Sequence, residues 1–175
     1  ISKGESLVQH DLNRGLEADY ALVAYGGNDS DYDWAAIDAD PAGNHHPRTE
    51  LPAFREKLRH TVTMLRERGI QPVLMSLPPI DAARYLAFIC RDGLRKERIM
   101  DWLGDVQMIY RHQEMYSDAV TQLAYAEGLP LIPVREEFLN DHRLMRLIAA
   151  DGIHLTMPGY ERLFDTLADW LRIRV

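Results

Sequence analysis

A single cysteine, Cys90, stands among the 175 residues, so no internal disulfide can form and the chain is expected in a reducing compartment, the cytoplasm. It ends the apolar run Tyr85-Leu86-Ala87-Phe88-Ile89, where it reads as a small buried hydrophobe rather than a nucleophile. No apolar run approaches membrane-spanning length, so membrane insertion is not expected. No basic stripe offsets the net charge of -7, which argues against nucleic acid and anionic lipid as partners. Phosphate-binding glycine loops with Lys-Ser/Thr and dinucleotide fingerprints are also absent. His45 and His46 are adjacent, with no Cys or spaced His to complete a zinc site. His10, His60, His112 and His142 lie on or beside helical segments and read as solvated.

What is present fits one domain with one sizeable core, at 46% hydrophobic residues. Apolar periodicity predicts helices over 5–17, 50–68, 105–127 and 160–171. In the second, Leu51, Phe54, Leu58, Val62 and Leu65 make one stripe; in the last, Leu163, Phe164, Leu167 and Trp170/Leu171 do. Between them, 20–25 and 72–77 read as strands buried on both faces. Residues 129–134 read as a third strand, short or near an edge because of Pro130 and Pro133. Segment 28–48 is a long polar connection, and 136–150 is mixed helix and loop. Segment 81–104 reads as an insertion of two short helices around Asp92-Gly93. Strands alternating with helices predict a three-layer α/β/α domain of the flavodoxin-like kind, a parallel sheet with helices on both faces. Sites in such sheets lie beyond the carboxyl ends of the strands.

Two stretches carry chemistry. Asp151-Gly152-Ile153-His154 precedes a helix start, with Thr156 as N-cap and Pro158 in the first turn. An acid three residues before an imidazole can hold one ring nitrogen and leave the other as a base. Alone, the pair reads first as a solvated turn. Gly26-Gly27-Asn28-Asp29 follows the first strand; its glycines let the backbone come close to a ligand, and Asn28 offers an amide donor to an oxyanion. Alone, this too reads first as a turn. Asp29-x-Asp31-x-Asp33 suggests the start of a calcium loop, but Trp34 replaces the glycine and Asp40 the final glutamate. Trp34, Tyr85, Phe88 and Trp102 have the character of pocket walls for an acyl or alcohol group, although each reads first as packing.

Taken together, Gly-x-Asn-Asp at a strand end and Asp-x-x-His before the last helix resemble the SGNH (GDSL-type) hydrolases. Leu-Pro-Pro at 77–79 and Gly-Leu-Pro-Leu-Ile at 128–132 are similar as well, so the resemblance runs from about residue 5 to residue 171. It implies a serine ester hydrolase acting on a small-molecule ester without metal or organic cofactor. His154 would be its general base, Asp151 the orienting acid, Asn28 an oxyanion-hole donor, and Gly27 with Asn28 the substrate contact. The family's Gly-Asp-Ser motif and its hole glycine have no match in this sequence. Too few residues precede Asn28 for two strands and a crossover, so 1–17 reads as the helix before the family's third strand. The serine is then expected upstream of Ile1; failing that, the domain is a non-catalytic ester- or carbohydrate-binding module.

Overall fold

The structure, a computed structural model, describes residues 1–174, with side chains described through Arg172. Three parallel strands, Tyr20–Val23 (β1), Gln71–Met75 (β2) and Leu131–Ile132 (β3), form a sheet in the order β1-β2-β3. Eight α-helices accompany them among the described residues: Ser2–Asn13 (α1), Trp34–Ala39 (α2), Leu51–Glu67 (α3), Ala82–Ile89 (α4), Lys96–Leu103 (α5), Gln107–Ala126 (α6), Val134–Leu139 (α7) and Met157–Arg174 (α8). Val23 stands opposite Leu74, and Leu74 opposite Leu131.

The two-residue period of β2 divides the core. Leu74 turns to one side, onto Phe54, Leu58 and Val62 of α3 and Tyr116 and Val120 of α6. Val73 and Met75 turn to the other, onto Val134 and Phe138 of α7 and Leu163 and Leu167 of α8. The result is the expected three-layer α/β/α arrangement. Each fully buried Leu or Phe in these layers contributes roughly 1.5–3 kcal/mol.

Two expectations need correction, and one about the third strand holds. β1 is not buried on both faces: Tyr20 and Leu22 are half exposed, because β1 is an edge strand whose packed face carries Ala21 and Val23. β3, expected to be short or near an edge, is both: it is two residues long and an edge strand. Pro130 accepts from the Leu74 amide but has no N–H to donate, and after Pro133 the chain already enters α7. In α8 the inward stripe is Leu163, Leu167 and Trp170, while Phe164 and Leu171 face outward. Among the described residues no helix is long and apolar enough to cross a membrane.

Helices α2, α4, α5 and the start of α6 gather over the carboxyl ends of the strands, where Trp34, Ile37, Leu86 and Ile99 form a separate apolar cluster. Between that cluster and the strand ends lies a cleft of about 540 Å³.

Candidate active site

Residues 147–156 fold back on themselves before α8. Ile148 and Leu155 form an antiparallel bridge, the Ala149 amide donates to His154 O (2.8 Å), and the Thr156 amide donates to Leu147 O (2.9 Å). Thr156 is the predicted cap: its Oγ1 accepts from the Gly159 amide at 3.2 Å. Within this fold Asp151 Oδ1 accepts the amides of Ile153 and His154, both at 3.0 Å, and Oδ2 accepts from His154 Nδ1 at 2.7 Å. Facing a carboxylate, Nδ1 carries the hydrogen, and Nε2 keeps its lone pair for a proton. Burial alone would raise the Asp151 carboxyl. The His154 amide, the His154 ring and the Ile153 amide outweigh it and hold the group below its ordinary value, charged at neutral pH.

This loop is fastened to the start of α4. Gly152 has φ +82° and its carbonyl accepts the Asp81 amide at 2.8 Å. A Cβ there would run into the backbone of Asp81 and Tyr85, so only glycine fits between acid and base. From α4, Arg84 Nη1 donates to Met145 O (3.0 Å) and Ile148 O (2.8 Å). His154 remains largely exposed at the rim of the cleft, with Asp151 behind it.

Across the cleft, the chain leaves β1 and turns at Gly26, whose φ of +128° and close approach to the Leu77 methyls also require glycine. The Ser30 amide donates to Gly26 O (3.0 Å) and the Ser30 hydroxyl to Gly27 O (2.9 Å), leaving Gly27 and Asn28 exposed at the mouth. Gly27, Asn28 and His154 thus line one cleft, as their sequence context predicts for strand-end residues.

The calcium-loop reading fails. Asp29 binds the Thr49 hydroxyl (2.8 Å), Asp31 accepts from Trp34 Nε1 and the Tyr85 hydroxyl (both 2.8 Å), and Asp33 caps α2 through the Ala36 amide (3.0 Å). Three carboxylates with separate partners do not converge, and among the described residues no group of three or more His, Cys, Asp or Glu could hold a metal ion. His45 donates to Asp40 O at 2.7 Å, and His46 pairs with Glu50.

His112 is not solvated. Its Nδ1 faces Ser30 O at 2.9 Å and must donate to it, so Nε2 accepts from the Tyr32 hydroxyl at 3.0 Å. Burial is the main cause of its lowered pKa, against the opposing Ser30 bond and the charge of Glu50. Burial, with Glu50, pushes the Tyr32 hydroxyl up to about 12, so it stays protonated and remains the donor. His112 therefore braces from α6 the turn that presents Asn28. A signal for it existed: Ile109, Gln113, Tyr116 and Val120 form the buried stripe of α6, and His112 borders it.

Of the four proposed wall aromatics, Trp34, Tyr85 and Trp102 line the cleft. Phe88 instead lies under Arg91, 3.8 Å from its guanidinium carbon. Cys90 is half-buried, and burial raises its thiol pKa. Four serine hydroxyls are engaged elsewhere: Ser6 on Ser2 O, Ser30 on Gly27 O, Ser76 on Ile132 O, and Ser117 on the Leu77 amide.

The sequence model of the GDSL-like lipase/acylhydrolase family matches residues 3–162. The isoamyl acetate-hydrolyzing esterase of Saccharomyces cerevisiae is 23% identical over 118 residues, 67% of this chain and 46% of that protein. The chain thus spans about half the length of this curated relative. Among solved structures, the lipase/acylhydrolase of Enterococcus faecalis aligns over 95% of this chain and 69% of its own, with TM-score 0.59 and 19% identity. An acetyl xylan esterase of Geobacillus stearothermophilus aligns over 95% and 66%, with TM-score 0.62 and 14% identity. At these identities the structural matches speak for the fold.

Proposed function

The chain belongs to the GDSL-like lipase/acylhydrolase family, and from that premise we propose that its cleft hydrolyses a carboxylic ester through a serine acyl-enzyme. The observation that carries this reading is the His154–Asp151 pair, bonded at 2.7 Å through Nδ1, on a cleft that also exposes Asn28. In the reaction a serine oxygen attacks the ester carbonyl as His154 Nε2 takes its proton. Asn28 donates to the tetrahedral oxygen, and Asp151 stabilises the imidazolium. Collapse expels the alcohol, which takes the proton from His154. Water then attacks the acyl group with the same base, releasing the acid and restoring the serine. The nucleophile in this proposal is a serine outside residues 1–175. The yeast relative's name, an esterase of isoamyl acetate, supports a small ester as substrate.

A second reading, a non-catalytic ester- or carbohydrate-binding module, is favoured by one observation: the hydroxyls of Ser6, Ser30, Ser76 and Ser117 bond to backbone groups rather than to His154. Fluorophosphonate labelling of the full-length protein, mapped by mass spectrometry, separates the two. One labelled serine outside 1–175, labelled far more slowly in His154→Ala, is the expected result. Absence of both label and p-nitrophenyl acetate hydrolysis would leave the module.

A further inference from the structure

Besides Asn28 and His154, the cleft is lined by the apolar side chains of Trp34, Trp102, Leu103, Met108 and Ile109. Of the polar side chains on the walls, Trp34, Tyr85, Tyr32 and Gln113 already have partners within the fold. Trp34 Nε1 and the Tyr85 hydroxyl both donate to Asp31 Oδ1 at 2.8 Å, and Arg48 stands 3.5 Å from Oδ2. The Tyr32 hydroxyl is spent on His112 Nε2 at 3.0 Å. Gln113 donates to Pro78 O at 3.0 Å and accepts from Arg135 Nη1 at 3.1 Å. Burial raises the pKa of both tyrosines, so those hydroxyls stay neutral donors within these bonds.

A sugar ring entering here would lose the water on its hydroxyls and find these partners taken, a cost that an alkyl chain does not meet. An apolar group gains from every methylene removed from water. We propose that this apolar chamber of the cleft, lined by Trp34, Trp102, Leu103, Met108 and Ile109, binds a medium-chain alkyl group of the ester in preference to a carbohydrate. The alkyl group's being part of an ester rests on the hydrolase reading above; its seat in the chamber rests on the walls alone.

Trp34 and Trp102, two of the three tryptophans, report occupancy, since Trp170 packs on the far side of the sheet. Their fluorescence would be titrated in the full-length protein with butan-2-one, octan-2-one and methyl β-xyloside, none of which is hydrolysable. Each buried methylene strengthens binding about fourfold, so octan-2-one, four methylenes longer, should bind roughly 250-fold tighter than butan-2-one. Met108→Trp, which fills the chamber from the half-exposed start of α6, should erase that difference. Trp102→Leu, which widens the chamber and keeps it apolar, should retain most of it. Equal binding of the two ketones, or tighter binding of the xyloside, would overturn the proposal.

Hydrolysis then assigns the source of the alkyl group. A kcat/KM that rises from p-nitrophenyl acetate to octanoate gives the chamber to the acyl chain. A rise from ethyl to octyl acetate gives it to the alcohol. Chain-length-dependent ketone binding with no hydrolysis of any ester would uphold the chamber and sink the hydrolase reading.

Discussion

On the His154 side of the cleft, three hydrogen bonds to one carboxylate are made within three residues of chain. On the Asn28 side, the turn is braced by His112, 82 residues away from the Ser30 carbonyl it binds. The first half is built locally and stands open to solvent, where a base can exchange protons. The second is built from distant elements and buried behind its mouth, where a donor must be held still. The two constructions suit the two tasks proposed for them. A proton carrier tolerates solvent, whereas an oxyanion donor is effective only when preorganised.

That contrast can be broken at its strongest point first. His154→Ala removes the base and should lower kcat by about 10⁴-fold or more. Turnover near wild type in steady-state assays would contradict the role of the exposed half. Asn28→Ala comes next, with an expected kcat loss of ~10²–10³ and a KM changed much less. A loss confined to KM would make Asn28 a binding group only.

Smaller effects test the brace. His112→Leu strands the Ser30 carbonyl and should reduce kcat by about tenfold to a hundredfold through misplacement of the Asn28 turn. His112→Asn, which keeps a donor, should recover much of it; equal losses in both variants would remove the positioning role. The smallest expected effect is on stability against pH. His112 has a folded-state pKa below its ordinary 6.5, so the unfolded chain binds its proton more readily. Its contribution is full above 6.5 and is lost as pH falls through the lowered folded value. Urea midpoints of the wild type should therefore drop more than those of His112→Asn between about pH 7.5 and 5.5. Parallel curves would contradict burial of the neutral ring.

The same contrast explains what was legible in the sequence. Asp151, His154 and the Thr156 cap are related by spacings of two to five residues, and such local geometry can be read directly. Helices α3 and α6 were legible for the same reason, since their stripes repeat within one element. His112 and Tyr32 were not, because their meaning depends on α6 crossing the turn after β1. Composition groups Phe88 with the wall aromatics, whereas the short helix α4 points Tyr85 into the cleft and leaves Phe88 to Arg91. β1 is less buried than its apolar run suggests, because such a run alone does not reveal that its strand lies at an edge. The aspartates at 29, 31 and 33 matched a calcium spacing, yet each found a nearer partner.

The most direct test is a crystal structure of the full-length protein after reaction with a fluorophosphonate. The expected adduct is a phosphonylated serine in the cleft, its phosphonyl oxygen within about 3.2 Å of the Asn28 side-chain amide and His154 Nε2 beside the serine oxygen. An adduct outside the cleft, or one whose oxygen is held without Asn28, would contradict that expectation.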